Sequence, residues 1–194
     1  MPRIPENWIK RRNENGCRRY CPAAANVKSG KLIGETVPMS NPISTMVNAL
    51  VQLENSVGRL YAQFALSFPE DHAFWELLAA EEANHACILE ALTEFDANAG
   101  ELSRFFPEPV KDSILAVNKK LEGLLRNISH TRISREEALN IGIQIEESAG
   151  ETHFQNMSIA DTPSRIVATF QLLVSADKDH AERLKNYLRQ IENK

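Results

Sequence analysis

The sequence predicts an all-α fold, and three features of the chain lead to that prediction. From residue 40 onward, apolar residues recur at helical spacing, and no stretch shows sustained period-two alternation. The chain has only 8 glycines and 7% aromatic residues, which argues against a β-sandwich. Its 194 residues, 43% of them hydrophobic, are enough for one domain with its own core.

The first two long helices are predicted on either side of a proline. The first begins at Pro42, which Ser40 or Asn41 can cap, and its apolar pattern breaks at Pro69. The second begins near Pro69 and continues to about Gly100, a residue type that commonly ends helices. Because the link between these helices is very short, we expect them to form an antiparallel hairpin.

The second half of the chain repeats this plan after a long connection. Residues 101–133 contain a shorter helical pattern, VKDSILAVNKKLEGLLRNI. Ser134 and Glu137 have the spacing of a capping box, which begins a helix that runs to about Ala160. Asp161-Thr162-Pro163 begins the last helix, which continues nearly to the C-terminus. This order predicts a four-helix bundle with one long crossover that contains an extra helix.

Residues 1–40 are predicted to be a basic, weakly structured N-terminal extension, and residues 41–194 are predicted to be the bundle. Residues 1–31 carry eight Lys and Arg against two Glu, whereas the rest of the chain is acidic. Such an extension can dock on its own acidic bundle, on a partner or on a polyanion. No nucleic-acid recognition motif accompanies it, so we do not expect nucleic acid as a partner.

The sequence also bears on membranes and on the redox compartment. No run of about 18 apolar residues occurs, and the N-terminus lacks the apolar segment of a secretion signal, so we expect neither a membrane helix nor secretion. Cys17, Cys21 and Cys87 are too few for a disulfide framework. We expect free thiols, with Cys87 as a small buried apolar residue. These features predict a cytoplasmic protein.

Each of the four long helices carries one acid on its apolar stripe, and two of them also carry a histidine three residues later. Positions i and i+3 lie on one side of a helix, one turn apart, so both side chains can reach one point. In chain order the helices offer an acid, E-x-x-H, an acid and D-x-x-H. The residues are Glu54 in the first helix, Glu82 and His85 in the second, Glu146 in the third, and Asp177 and His180 in the fourth.

The two halves resemble each other in sequence, which is consistent with duplication of a helical hairpin. The alignment pairs Glu54 with Glu146, and it pairs Asp177 with Glu82. It therefore excludes the neighbouring Glu81 from the predicted set. The matching segments are LENSVGRLY (53–61) with IEESAGETH (145–153), and LLAAEEANHACIL (77–89) with LLVSADKDHAERL (172–184).

Four carboxylates on buried helix faces require neutralisation. A buried carboxylate without a partner is too costly to keep charged, and four in one core repel one another. Two divalent ions would balance four acids, and the two imidazoles would complete the ligand sets. Carboxylate and imidazole ligands suit iron or manganese, with zinc as a further alternative. The sequence therefore predicts a dinuclear metal site.

Two of these segments, AEEANHACIL and SADKDHAERL, resemble the E-x-x-H-A segments of the rubrerythrin-type branch of the ferritin-like superfamily. LENSVGRLY is similar to the first-helix segment of that family, and the resemblance extends over about residues 41–194. It implies a ferritin-like four-helix bundle with a carboxylate-bridged pair of iron ions. Glu82 would bridge the ions together with Asp177 or Glu146. The implied ligands are Glu54, Glu82, His85, Glu146, Asp177 and His180.

Three departures from the family pattern affect what the resemblance implies. Asp177 stands where the family usually has Glu, so its reach is shorter by one methylene group. Ala149 occupies the position of an extra Glu that the family links to peroxide reduction, which weakens a peroxidase assignment. The chain has no rubredoxin domain, because that domain needs two C-x-x-C pairs. Electrons would therefore come from an external donor.

The resemblance implies a di-iron oxidoreductase that reduces peroxide or dioxygen and acts in oxidative stress. Three alternatives stay open: a ferroxidase or iron-storage protein, a manganese catalase-like enzyme, and a non-enzymatic metal-bound bundle that recruits a partner through its basic extension. No catalytic residue beyond the ligands is assigned. Tyr61 can donate a hydrogen bond to a ligand or can simply pack, and His153 can act as a ligand or as a core histidine. We expect a homodimer, with Phe105 and Phe106 as candidate contacts.

Overall fold

A computed structural model describes residues 42–96, 108–128, 131–154 and 165–193 of the chain. These residues form helices and one 3-10 turn, and no strand occurs among them, so the prediction of an all-α fold is confirmed. The helices are α1 (Pro42–Ser67), α2 (His72–Asp96), α3 (Glu108–Ile128), α4 (Arg135–Phe154) and α5 (Arg165–Glu192), and the 3-10 turn is Pro69–Asp71.

The helix boundaries near Pro42, Pro69 and Ser134 agree with the signals of the sequence. α1 begins at Pro42, as predicted, and α2 begins at His72 because Pro69–Asp71 first forms the 3-10 turn. The capping box is present at the start of α4. The backbone N–H of Ser134 donates to Glu137 Oε2 at 2.7 Å, and the backbone N–H of Glu137 donates to Ser134 Oγ at 3.1 Å. The predictions that concern the N-terminal extension, Gly100, Phe105, Phe106, Ala160 and residues 161–163 lie outside the described residues.

α1 and α2 form the predicted antiparallel hairpin. Ala65 lies near the end of α1, and its carbonyl oxygen is 3.2 Å from Nδ1 of His72, the first residue of α2. Farther along, Gly58 faces Ala79 and Glu82, which lie later in α2. Contacts that move backwards along one helix and forwards along the other define an antiparallel pair.

α4 and α5 form a second hairpin of the same kind. Gly142, early in α4, faces the side chain of Leu184, late in α5. Glu146 lies one turn farther along α4, and its carboxylate lies beside His180, which is one turn earlier in α5. The crossover helix α3 packs on α1, where the side-chain amide of Asn118 donates to the carbonyl oxygen of Ala49 at 2.8 Å.

Two clusters of buried apolar side chains fill the bundle along its length. In α5, Leu173 belongs to one cluster and Leu184 to the other. Asp177 and His180 fall between these two leucines in the sequence, and the predicted ligands of α1 and α2 also fall between members of the two clusters. The candidate ligands therefore form a polar layer between two apolar clusters.

A buried aspartate connects the α1–α2 turn to the second hairpin. The carboxylate of Asp71 accepts two hydrogen bonds from Arg135, at 2.7 and 2.6 Å. It also accepts one from the hydroxyl of Tyr187, at 2.7 Å. This network joins the 3-10 turn, the start of α4 and the last turns of α5.

None of the described helices combines the length and the apolar composition that are needed to cross a membrane.

Candidate metal centre

The structure buries every residue that the sequence predicts as a ligand. None of these residues is more than 7% exposed, which is unusual for charged residues without a partner. Four different helices supply them, as the sequence pattern predicts. Glu54 comes from α1, Glu82 and His85 from α2, Glu146 from α4, and Asp177 and His180 from α5.

Glu54, Glu82 and His85 form a first group, which lies within the α1–α2 hairpin. One ligand atom of each residue lies within 4.8 Å of the others. Nδ1 of His85 is 3.4 Å from Glu82 Oε2 and 3.6 Å from Glu54 Oε2. The i, i+3 spacing of Glu82 and His85 brings both side chains to one point, as expected for one face of a helix.

Glu82, Glu146 and His180 form a second group, which spans the two hairpins. Their ligand atoms also lie within 4.8 Å of one another. Nδ1 of His180 is 2.7 Å from Glu82 Oε1 and 3.4 Å from Glu146 Oε1. Three helices, α2, α4 and α5, therefore contribute to this group.

Glu82 belongs to both groups, and its two carboxylate oxygens face in different directions. Oε2 lies beside His85 and Oε1 lies beside His180. The two imidazole rings stack with their centroids 5.4 Å apart and their planes 19° from parallel. A carboxylate in this position can bind one cation through each oxygen.

Three buried atoms of this layer have no hydrogen-bond partner among the described residues: Glu82 Oε1, His85 Nδ1 and His180 Nδ1. Buried polar atoms are almost always paired, because each loses its bonds to water. Carboxylate oxygens and imidazole nitrogens are ligands of iron, manganese and zinc. The unpaired atoms therefore fit a pair of metal ions, one in each group.

Asp177 lies in the same layer but is not part of either group. Its side chain is 2% exposed. Burial is the largest cause that raises the pKa of Glu146, and the negative charge of Asp177 raises that pKa further. Asp177 is therefore close enough to add to the negative potential of the layer.

The two histidines compensate part of this negative charge when no metal is bound. Burial alone would lower the pKa of each imidazole, because it disfavours the charged form. The facing carboxylates outweigh that effect and raise the pKa of both His85 and His180 to about 10. Both imidazoles are therefore protonated at neutral pH in the metal-free protein.

Tyr61 donates a hydrogen bond from its hydroxyl to Oε1 of Glu146, across 85 positions of sequence. Of the two roles that the sequence leaves open, packing and hydrogen bonding to a ligand, Tyr61 has both. Its ring is fully buried, and burial together with the charge of Glu146 raises the pKa of the phenol well above its usual value. The phenol therefore remains protonated and fixes one oxygen of Glu146.

Glu81 contacts the other side of the His180 ring, although the alignment of the two halves excludes it from the ligand set. Its Oε2 lies 3.2 Å from Nε2 of His180, the nitrogen that faces away from Glu82. Arg183 in turn donates to both oxygens of Glu81. A carboxylate on the outer nitrogen of a metal-binding histidine fixes the ring and its tautomer. No local sequence signal indicates the contacts of Glu81 with His180 and Arg183, because they join distant parts of the chain. Glu81 and Arg183, for example, are 102 positions apart.

Gly58 allows α1 to approach α2 at the level of this layer. A Cβ atom at this position would lie 3.2 Å from the Cβ of Glu82 and 3.3 Å from the carbonyl oxygen of Ala79. Both distances are tighter than ordinary van der Waals contact. The absence of a side chain at Gly58 therefore helps to place Glu82 within reach of Glu54.

Cys87, two residues after His85, is disulfide-bonded and partly exposed, so the expectation of a free, buried thiol is wrong for this residue. The sequence shows no partner for it at close range, because the other two cysteines lie far away in the N-terminal extension. The side chain of His153 lies outside the described residues.

The comparisons with known proteins found no match of the chain to a family model, to a curated protein or to a solved structure.

Proposed function

We propose that the chain is a di-iron oxidoreductase that reduces peroxide or dioxygen, like the rubrerythrin-type proteins that its E-x-x-H segments resemble. The observation that carries the proposal is the position of Glu82, whose two carboxylate oxygens face two different histidines. A carboxylate so placed suits a bridged pair of ions, and a pair of redox-active ions suits a two-electron reduction of a small oxidant.

The donor set suits iron or manganese better than zinc, and the resemblance to the rubrerythrin-type segments favours iron. Both groups offer carboxylate oxygens and imidazole nitrogens, and neither offers a thiolate. Such ligands suit iron and manganese, whereas zinc has no redox chemistry to offer. When bound, two iron ions would supply the electrons for the oxidant and a Lewis-acidic position that receives it.

The residues of the chain then have distinct tasks. Glu54 and His85 would hold one ion, Glu146 and His180 would hold the other, and Glu82 would bind both. We assign Asp177 as a further ligand because it is buried in the same layer. Together the four carboxylates would balance the charge of two divalent ions, which removes the penalty of burying them unpaired.

The surrounding residues would preserve this arrangement. Tyr61 holds Glu146 through its hydroxyl, and Glu81 holds the ring of His180 from the outer side. The apolar clusters above and below the layer exclude bulk water from it. Electrons would come from an external donor. We also propose a cytoplasmic homodimer, in which the disulfide of Cys87 would be redox-active rather than permanent.

Metal content is the measurement that tests this proposal. Protein purified without oxygen and loaded with Fe²⁺ should retain about two ions per chain by plasma mass spectrometry, one for each group. Addition of H₂O₂ or O₂ should then produce the near-ultraviolet absorption of an oxidised, bridged pair. Faster oxidation by one of them would identify the substrate, whereas assembly into a hollow cage that accumulates Fe³⁺ would assign iron storage instead.

A matched pair of variants makes the result specific to the site. Glu146→Gln should lose metal, whereas Glu147→Gln should not, because the side chain of Glu147 is 54% exposed and pairs with Lys185. Metal at background level in a folded, helical protein would overturn the proposal. The four acids would then have to be explained as a polar core neutralised by protonated histidines.

A further inference from the structure

The described part of the chain contains one tryptophan and two tyrosines, Trp75, Tyr61 and Tyr187, and all three lie in one line of aromatic rings. The other tryptophan and tyrosine of the chain, Trp8 and Tyr20, belong to the N-terminal extension. Residues that are readily oxidised by one electron are thus few in the bundle and concentrated in one place.

The rings of this line are in contact from one end to the other. The centroids of Tyr61 and Trp75 are 5.5 Å apart, and those of Trp75 and Phe74 are 5.4 Å apart. Phe74 stacks on Tyr187 with centroids 4.2 Å apart and planes 9° from parallel. Electron transfer between aromatic rings is fast over contacts of this length, and Phe74 can mediate it without being oxidised.

The two ends of the line lie in different environments. Tyr61 is fully buried and donates its hydroxyl hydrogen to Glu146 of the second group. Tyr187 is partly exposed and donates its hydroxyl hydrogen to Asp71 at 2.7 Å. The line therefore connects a metal-binding carboxylate with the surface of the bundle.

Packing accounts for the burial of these rings but not for their polar atoms. Nε1 of Trp75 is buried and has no hydrogen-bond partner in the described part of the chain, although the indole N–H of a buried tryptophan usually finds one. Each tyrosine hydroxyl, in contrast, is bonded to a carboxylate. A phenol loses its proton when it loses an electron, so both tyrosines have a proton acceptor in place.

We propose that Tyr61, Trp75, Phe74 and Tyr187 form an electron relay between the metal centre and a reductant at the surface. This inference rests on the proposed function, because it needs a redox-active centre and peroxide or dioxygen as the final oxidant. It adds the position at which the external donor acts, which is the partly exposed ring of Tyr187. It also assigns roles to Trp75, Phe74 and Tyr187, which the proposal for the metal centre leaves without one.

The transfer balances at each step. Tyr61 gives one electron to the oxidised centre and its phenolic proton to Glu146, and becomes a neutral phenoxyl radical. Trp75 reduces that radical, which recovers its proton from Glu146. Tyr187 then reduces the indole radical cation through Phe74 and gives its proton to Asp71. A one-electron reductant at the surface restores Tyr187, which takes the proton back, so the net change is one electron moved inward.

The first test uses the full chain without metal, so that it does not depend on the proposed function. Trp8→Phe and Tyr20→Phe are introduced first, which leaves the three redox-active rings of the line as the only Trp and Tyr. A laser flash at a wavelength that the indole absorbs and the phenols do not then photo-ionises Trp75. Trp75 is 1% exposed, so solutes do not reach its radical. We expect the transient absorption of the indole radical to decay while that of a phenoxyl radical rises, which reports transfer of an electron from Tyr187 to Trp75.

Three variants determine the path of that electron. Tyr187→Phe should prolong the indole radical, because it removes the electron donor at the exposed end of the line. Phe74→Leu should slow the decay of the indole radical, because it removes the ring between Tyr187 and Trp75. Phe64→Leu is the matched control: this ring also contacts Trp75, with centroids 4.9 Å apart, but it lies off the line, so the indole radical should decay as in the parent. Circular dichroism confirms that each variant folds, and Phe68→Leu replaces the control if Phe64→Leu does not.

The second test uses the iron-loaded protein in the same background. Peroxide is added, and phenoxyl radicals are followed by freeze-quench electron paramagnetic resonance with and without ascorbate as the surface reductant. In the parent, ascorbate should remove the radical quickly. In Trp75→Phe the radical should persist in the presence of ascorbate, because it remains on buried Tyr61.

The two tests separate the relay from the proposed function. An indole radical that decays as fast in Tyr187→Phe as in the parent would overturn the relay, even if the protein retains two ions. A radical in the iron-loaded Trp75→Phe variant that ascorbate removes as fast as in the parent would do the same. Tyr187-dependent reduction of the Trp75 radical in a protein that binds no metal would show a working ring path, but it would overturn the proposal that this path serves a metal centre.

Discussion

Oε1 of Glu82 lies 2.7 Å from Nδ1 of His180, although the two residues belong to hairpins from different halves of the chain. Neither atom has a hydrogen-bond partner among the residues that the structure describes. Two electron-rich atoms at this distance repel each other unless a proton or a metal ion lies between them. The contact therefore identifies a point in the bundle that suits a proton or a metal ion.

Glu82→Gln should remove metal from both groups, because Glu82 is the residue that they share. Glu54→Gln affects the first group alone, so it should leave about one ion per chain. Glutamine keeps the size of the side chain and removes its charge, so both variants should remain folded. Metal content per chain, measured after Fe²⁺ loading and desalting, gives the result.

The same experiment can contradict the shared role of Glu82. Equal metal content in the Glu82→Gln and Glu54→Gln proteins would mean that Glu82 binds one ion only. The control is Glu147→Gln, which changes an exposed carboxylate one residue away from Glu146.

Glu81→Gln should weaken metal binding, although Glu81 is not in either group. The carboxylate of Glu81 holds Nε2 of His180, and loss of such an outer contact typically costs about 10- to 100-fold in metal affinity. Competition with a chelator of known affinity measures the change. Asp179→Asn is the control, because Asp179 also pairs with Arg183 but has a side chain that is 66% exposed. An equal effect of both variants would mean that metal binding weakens because negative charge is lost, and not because Glu81 no longer orients His180.

The metal-free protein should become less stable as the pH rises from about 6.5 to about 10. In the unfolded chain the histidines lose their protons near pH 6.5, whereas in the folded protein the pKa of His85 and His180 is raised to about 10. Between these values the folded state binds more protons, so the free energy of unfolding falls with pH. The raised pKa of Glu146 acts in the same direction at lower pH, because its carboxyl group keeps its proton longer in the folded state.

Urea unfolding of chelator-treated protein at about pH 6 and about pH 9 measures this dependence. Metal-loaded protein should show the opposite trend over the same range, because metal must displace the imidazole protons and binds better as the pH rises. A metal-free protein with equal stability at both pH values would show that the histidines are neutral in the folded state.

Arg135→Ala should destabilise the protein by about 2 kcal/mol, because it leaves the buried carboxylate of Asp71 with the hydroxyl of Tyr187 as its partner. The guanidinium itself is about one-third exposed, so solvent screening places this estimate below the cost of breaking a fully buried pair. Glu70→Gln serves as the control, since Glu70 is an exposed partner of the same arginine at 3.6 Å. Thermal unfolding of the two variants compares them, and equal melting temperatures would contradict the role of Asp71.

Much of the arrangement could be predicted from local sequence signals. Pro42 and the Ser134–Glu137 capping box mark helix starts because they act within one turn of the chain. The i, i+3 pairs predicted which side chains share a helix face. Burial of the candidate ligands could also be predicted, because a helix face that buries apolar residues buries the polar residues between them as well.

Other contacts could not be predicted because they join residues that are distant in the sequence. Glu81 meets His180 only through the relative rotation of α2 and α5, and the alignment of the two halves in fact excluded Glu81. The hydrogen bond from Tyr61 to Glu146 depends on rotamers as well as on helix placement. No cysteine lies close to Cys87 in the sequence, so its disulfide could not be predicted and the expectation of a free thiol was wrong.

The residues of the two groups that share Glu82 are translated at different times. Glu54, Glu82 and His85 all lie in the first hairpin, whereas Glu146 and His180 are translated later, after the crossover helix α3. Chains emerge at about 5–20 residues per second, and N-terminal units generally fold first. A nascent chain can therefore complete the first group before the second exists. Metal uptake during synthesis would then be ordered, and the ion captured first would hold Glu82 in place for the half of the protein still to be made.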